Sequence, residues 1–317
     1  MLQIRNVAGT AFVVAEFRAE ENDAEHPLYQ DVIVNLFLNQ ASRKAAARVA
    51  NGFPLVSEMV KLRTKYFDDM VEQQLSLGCR QVVLLGAGFD TRAVRKSAAD
   101  VTYFEIDDAA TLSLKEDSYK ENGIKADIRF IAGNYVTDGL IALLSRSGFN
   151  PELPTYVIWE GNTMYLPMES TIAIIGHLRD NLRNFQLSFD YLAKAVVTKT
   201  TGDAGLTRMA EGFAHMGAPW VTGFDNIREL ANDVKLKVSE NVTSGDLSPR
   251  YRLFASPARP IFGPFYSICT LRWQKPTKWI RRKHAGMSAL VRSGSAGRSS
   301  PDASLKSSAF QSKTSWP

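Results

Sequence analysis

The stretch Gln81 to Thr91 (QVVLLGAGFDT) limits the folds open to this chain more than any other. Val82, Val83, Leu84 and Leu85 form an unbroken apolar run with two β-branched members. That is the pattern of a strand buried on both faces of a parallel sheet. Gly86 and Gly88 then break the run. A strand that ends in a glycine turn and passes into a helix, here from about Thr91, points backbone N–H groups and a helix N-terminus at a ligand. Glycine suits such a turn because it accepts positive φ and lets another molecule approach the backbone. The plain alternative is a tight strand-to-helix turn with no ligand at all.

A second strand-like run, Val101 to Asp107 (VTYFEID), ends in Glu105 and Asp107. Asp107 stands 21 positions after Gly86, the interval at which a nucleotide-binding half-domain offers a carboxylate to ribose hydroxyls. The third glycine of the dinucleotide fingerprint would fall at position 91, where Thr91 stands. Close packing on a pyrophosphate is therefore less well served than binding of a nucleoside without one, of which S-adenosylmethionine is the commonest in this setting.

From Gln81 onward strand and helix patterns alternate, which argues for a doubly wound α/β sheet. The strand candidates are Val82–Leu85, Thr102–Ile106, Ile128–Ala132, Tyr156–Trp159 and Gln186–Phe189, with helices at Ala109–Glu121, Thr137–Ser145 and Glu169–Leu182. Two last candidates, Lys235–Val242 and Phe265–Trp273, lack a crossover helix between them and read as an antiparallel pair closing one edge. Ahead of the sheet the pattern predicts helices at Thr10–Glu21, Asp31–Leu38 and Ser57–Leu77, the last with Ser57 as N-cap and Gly78 as its stop. Arg63 sits at the edge of that helix's apolar stripe, where a solvated arginine is the default.

Length and composition narrow the function classes. At 317 residues, 45% apolar and 22% charged, the chain can bury one large core and looks like an ordinary globular protein. No apolar run approaches the roughly 18 residues of a membrane span, and the start MLQIRNVAGT lacks the features of a secretory signal. Cys79 and Cys269 have no metal-ligand spacing, so two free thiols in a reducing cytoplasm, and no metal, are expected. The net charge of +5 is concentrated at one end: Pro276–Pro317 holds eight Lys or Arg and one acid. The remainder is close to neutral, so no nucleic-acid partner is called for.

With these segments placed, the chain resembles the leucine carboxyl methyltransferase family. It is closer still to that family's bacterial and fungal branch of S-adenosylmethionine-dependent O-methyltransferases, some of them tied to polyketide maturation. The similarity runs from about Thr10 to Trp273 and rests on TAFVVAEFRAE, RTKYFDD, QVVLLGAGFDTRAVR, YFEIDDAATLSLK, PTYVIWEGNTMYLP and APWVTGFD. It implies an α/β fold, the Rossmann-like class I methyltransferase, with a mostly parallel seven-stranded sheet, an antiparallel edge strand and an N-terminal helical extension. A methyltransferase domain over 1–275 would comprise a helical cap (1–80), a cofactor-binding core (81–192) and an insertion with closing strands (193–275). The basic tail, 276–317, is expected to be disordered.

The resemblance also implies roles. Arg63 matches the arginine that pairs with the methionyl carboxylate of S-adenosylmethionine, and Gly88 the glycine against the cofactor backbone, with Gly86 a cofactor-binding candidate beside it. Asp107 matches the ribose-binding acid, and Glu160 an acid that meets the methionyl ammonium. Asn134 and Tyr135 stand where the family usually has Asp-Leu bracketing the adenine, and the family's early lysine has no match near Thr10. Asn134 can donate and accept, and Tyr135 can stack.

The implied activity is S-adenosylmethionine-dependent O-methylation of a carboxylate or hydroxyl on a small metabolite, in secondary metabolism. The alternatives are a nicotinamide-dependent oxidoreductase and a non-catalytic methyltransferase homologue. A carboxylate acceptor needs no general base, whereas a hydroxyl benefits from one. His26, His177, His215 and His284 are expected to be structural or solvated. Tyr165, just past a strand's carboxyl end, is the candidate for the acceptor site, with packing as its equal alternative. Trp220 is expected in the core before a pocket wall, and Asp90 and Thr91 as caps of the following helix.

Overall fold

In the computed structural model, which describes residues 7–53, 55–251 and 263–274, three helices precede the sheet: α1 (Val7–Ala19), α2 (Gln40–Gly52) and α3 (Leu55–Ser76). α2 occupies the basic, alanine-rich segment, whose apolar stripe is too weak to announce a helix. Alanine's propensity and a reciprocal cap between Asn39 and Ser42 are enough to form it. The apolar stretch expected as a helix at Asp31–Leu38 is instead a 3₁₀ helix, Val32–Phe37, capped by Asp31. α3 starts two residues ahead of Ser57, so that hydroxyl lies inside the helix and donates to Glu20 rather than capping. Gly78, at φ +87°, ends it as expected, and the Cys79 N–H returns to Gln74 O.

Strands and helices then alternate: β1 (Gln81–Leu85), α4 (Arg92–Arg95), β2 (Thr102–Asp107), α5 (Ala109–Glu121), β3 (Ile128–Ala132), α6 (Leu140–Arg146), β4 (Thr155–Trp159), α7 (Met168–Asn181) and β5 (Asn184–Leu192). After β5 come α8 (Lys194–Val197), α9 (Ala204–His215), α10 (Ile227–Asp233), β6 (Lys237–Thr243), α11 (Ser244–Tyr251) and β7 (Tyr266–Gln274). The helix expected from about Thr91 is the single turn α4, and the one expected from Thr137 is a wide turn, Tyr135–Gly139, running into α6.

The seven strands form one sheet in the order β3-β2-β1-β4-β5-β7-β6. The first five are parallel; β7 runs antiparallel to both β5 and β6. The expected antiparallel pair closes one edge, with β7 one place in and β6 outermost. Alternation along β1 serves both faces. Val82 and Leu84 join the cluster packed by α1, α2 and α3, while Val83 and Leu85 join the one packed by α6, α7 and α10. The chain reverses its winding between β1 and β4, so the crevice beyond their carboxyl ends is where this architecture holds ligands.

Among the described residues no helix is long and apolar enough to cross a membrane, and no group of three or more His, Cys, Asp or Glu is arranged to hold a metal ion. Cys79 and Cys269 are buried free thiols. The basic tail, and His284 within it, lie outside the described residues.

Candidate functional site

The carboxyl edge of the parallel strands sets the predicted residues in a row. Asn134 and Tyr135 follow β3, Asp107 ends β2, Gly86 and Gly88 follow β1, and Glu160 follows β4. The register brings Leu85 opposite Ile106, and both the Gly86 and Ala87 N–H groups donate to Ile106 O, which folds the turn toward β2. At the bend Gly86 takes φ +68°, and a Cβ there would fall 2.6 to 2.8 Å from the Asn162 side chain. Asn162 uses that proximity to tie β1 to β4: its Nδ2 donates to Leu85 O at 3.2 Å and to Glu160 O at 2.8 Å. Gly88, at φ +49°, donates its N–H to Asp107 Oδ2 at 2.6 Å. Burial pushes the Asp107 carboxyl up, against the pull of the Gly88 and Asp108 N–H groups.

Helix α1 lies over this turn. A Cβ on Gly88 would meet Ala11 at 3.4 Å, and the Phe12 and Phe89 rings are 4.5 Å apart. On the β3 side, Asn134 is exposed and caps the wide turn, its Oδ1 accepting from Val136 N at 2.9 Å. The Tyr135 hydroxyl accepts from Trp159 Nε1 at 3.1 Å, and its ring meets the indole edge-on.

Arg63 is not the solvated arginine its position suggests. It is 5% exposed and reaches three strands, β4, β5 and β7: Nε donates to Glu160 Oε1 at 2.8 Å, and Nη1 donates to Asp190 Oδ2 at 3.2 Å and to the Tyr266 hydroxyl at 3.3 Å. Asp190 is fully buried; its Oδ1 accepts from Gly161 N at 2.6 Å, and the Tyr266 hydroxyl donates to Oδ2 at 2.5 Å. Burial works against the Arg63 charge, yet Tyr266, Glu160 and Asp190 together raise its pKa well above the ordinary value. Burial likewise pushes the Asp190 carboxyl up, only partly offset by Arg63.

Glu160 links Arg63 to Arg92, whose Nη1 donates to Glu160 Oε2 at 2.7 Å and to Asp90 Oδ2 at 2.5 Å, while Nε donates to Asp68 Oδ1 at 2.7 Å. Arg95 joins Asp68 to Asp31, and Arg18 of α1 closes on Asp31. The result is one continuous chain of four guanidinium groups and five carboxylates, with one negative charge in excess. Asp90 takes the capping role expected of it, accepting from Arg92 N at 2.7 Å. The Thr91 hydroxyl is spent on Asp31 instead, at 2.7 Å.

Beside Arg63 opens an apolar pocket walled by α1, α2, α3, α9 and the segment after β4. Tyr165 lines it, as expected of an acceptor-site candidate, and so does Trp220, stacked on Phe213 at 4.8 Å rather than lost in the core. The structure thus joins Gly88 to Asp107 and Arg63 to Glu160, with Asn162 bridging the two groups. Of the residues singled out in the sequence, Arg63, Tyr165 and Trp220 line the pocket itself. His26, His177 and His215 are exposed. Sequence reasoning missed Arg92, Asn162, Asp190 and Tyr266. A carboxylate inside the apolar run of β5, LSFDYL, was the one readable signal among them.

The sequence profile of the family described as "Leucine carboxyl methyltransferase" matches residues 11–179. A protein of Mycobacterium marinum named "Putative S-adenosyl-L-methionine-dependent methyltransferase" is 30% identical over 249 residues, 71% of this chain and 76% of its own length. A Streptomyces avermitilis protein named in the same terms is 31% identical over 193 residues, 56% of this chain; the match spans 66% of that relative's length. Among solved structures, a methyltransferase so described from Thermobifida fusca is matched with a TM-score of 0.56 at 14% identity, over 82% of this chain and 94% of the other. A DUF574 family protein from Streptomyces avermitilis gives 0.57 at 11% identity, over 84% and 97%. These two likenesses speak to the fold.

Proposed function

This chain belongs to the leucine carboxyl methyltransferase family, and we propose on that footing that it is an S-adenosylmethionine-dependent O-methyltransferase acting on a carboxylate of a small molecule. Its cofactor is S-adenosylmethionine, for which the matched relatives are named. Family membership sets the oxidoreductase alternative aside.

The residues present fit that cofactor. Each Asp107 oxygen accepts one backbone N–H, from Gly88 or from Asp108, and keeps a lone pair for a ribose hydroxyl. Among the described residues, its chain neighbours apart, the one atom within 4 Å of a Cβ built on Gly88 is Ala11 Cβ, so the outer side of the turn has room for a ligand. The excess negative charge of the ion-pair chain suits a cationic sulfonium. Arg63 would take the methionyl carboxylate, Glu160 the ammonium, and Asn134 with Tyr135 would flank the base. When bound, the cofactor supplies an electrophilic methyl group.

The chain's own part is to bring an acceptor oxygen to that group and keep water away. Among the described residues, the titratable groups lining the pocket are Arg63, Tyr165 and Tyr266. Neither tyrosine serves as a base: burial raises both, and the Tyr266 proton is committed to Asp190. Both Asp190 oxygens are occupied by Gly161, Tyr266 and Arg63. This lining, without a base, carries the reading, because a carboxylate arrives already ionised at neutral pH and a hydroxyl does not. Isothermal titration with S-adenosylhomocysteine is the test: binding is expected, and no heat at about 1 mM, a binding free energy weaker than about −4 kcal/mol, would remove the proposal.

A further inference from the structure

We propose that the acceptor is a lipophilic carboxylic acid, gripped by an adaptable methionine and aromatic wall and not by hydrogen bonds to its body. The inference rests on the methyl-transfer reading and specifies what the acceptor pocket selects. Of the eight methionines in the chain, four line this one cavity: Met59 from α3, Met164 after β4, and Met209 and Met216 at α9. Thioether side chains are flexible and polarisable, so a wall built from them moulds to apolar ligands of differing shape. Met59 and Met216 are only half-buried and so keep part of their surface toward open space, unlike ordinary core methionines.

Polar groups in the lining are few and mostly engaged. The Tyr266 hydroxyl is hydrogen-bonded with Asp190 and Arg63. A peptide carboxyl terminus would bring amide groups into this wall with almost no partners for them, and unpaired buried amides oppose binding. An alkyl or aryl body carries no such penalty. Its binding should strengthen about fourfold for each methylene buried.

The test uses the full chain, titrated calorimetrically with hexanoic, octanoic and decanoic acids, with 1-octanol and with N-acetylglycyl-leucine, each with and without S-adenosylhomocysteine. Expected is a rise in affinity of about fifteenfold from hexanoic to octanoic acid, which buries two further methylenes, and octanoic acid binding at least tenfold tighter than either 1-octanol or the peptide. Met209→Glu should weaken octanoic acid at least tenfold while S-adenosylhomocysteine affinity stays within about twofold. Met59→Trp, at a half-buried position that tolerates bulk, should do the same by filling the pocket, and covers the case in which the first variant fails to fold. Affinity that is flat with chain length, or a peptide that binds as well as octanoic acid, overturns the proposal. If the chain-length gradient holds but S-adenosylhomocysteine does not bind, the pocket assignment stands and the methyl-transfer reading falls.

Discussion

Glu160 divides its carboxylate between two arginines, giving Oε1 to Arg63 at 2.8 Å and Oε2 to Arg92 at 2.7 Å. Arg63 belongs to the helical cap and Arg92 to the turn after β1, so a single acid ties both to the end of β4. Arg92 also neutralises Asp68 and Asp90 from a position 2% exposed.

Arg92→Leu would leave Asp90 without its ion-pair partner in low dielectric and take one of two arginines from Asp68 and from Glu160. Removing one partner of such a buried network costs about 3–5 kcal/mol, and urea unfolding should register a loss of that size. Arg92→Lys keeps the charge but not the planar fork that reaches Glu160, Asp90, Asp68 and Thr64 O together. It should fall between, with S-adenosylhomocysteine affinity down about tenfold because Glu160 loses one of its two anchors. Wild-type stability in the leucine variant would show the network to be ornamental.

Asp107 separates binding from folding. It is half-buried at the end of a strand and holds the glycine turn through one hydrogen bond, to Gly88 N. Asp107→Ala should weaken S-adenosylhomocysteine about a hundredfold, and Asp107→Asn, which keeps an acceptor for Gly88, about tenfold. Unfolding should shift by less than about 1 kcal/mol in the asparagine variant. Equal affinities for all three proteins in a titration would remove Asp107 from the site.

Sequence reading reached the sheet because its strands are short apolar runs between clear breakers, and it reached Gly88 and Asp107 because they stand where such runs end; Glu160 came from the resemblance. Arg63 was placed by resemblance alone: helical periodicity puts it at a stripe's edge, and only the three-dimensional arrangement brings Asp190 and Tyr266 against it from strands that lie 127 and 203 positions further on. Pairings at such separation leave no local pattern. The same holds for Asn162, whose side chain explains why position 86 must be glycine. Local signals also misplaced Ser57, because a good capping residue can equally bond a neighbouring helix, as it does with Glu20.

The two glycines of the turn should respond differently to one added methyl group. At Gly86 the Cβ would collide with the Asn162 amide at 2.6 Å on top of a positive φ, so Gly86→Ala should cost about 2 kcal/mol in stability. At Gly88 the nearest atom is 3.4 Å away, and the left-handed backbone alone costs about 1 kcal/mol. The order should invert for ligand affinity, where Gly88→Ala places a methyl group on the turn that borders Asp107 and should weaken S-adenosylhomocysteine at least tenfold relative to wild type. Chemical denaturation paired with titration of each variant reads both orders, and parallel losses in the two measurements would contradict the division of roles.

Acid should attack the ion-pair chain at Asp68. Burial opposes the charge of this carboxylate, but Arg92 and Arg95 more than compensate and hold its pKa at about 2, below the 3.8 of an unfolded aspartate. A depressed acid stabilises the fold above its unfolded pKa, and that contribution drains away as pH falls through the folded value. The window therefore runs from about pH 4 down to about pH 2, and the contribution at stake is about 2 kcal/mol. Asp68→Asn removes the titrating group while leaving the two arginines in place. Its stability is lower than wild type at pH 7, and the gap should narrow across that window and stay constant from pH 5 to pH 8. Urea unfolding at pH 7, 4 and 2.5 measures the gap directly; a difference that does not shrink on acidification would mean that Asp68 is not held ionised by Arg92 and Arg95.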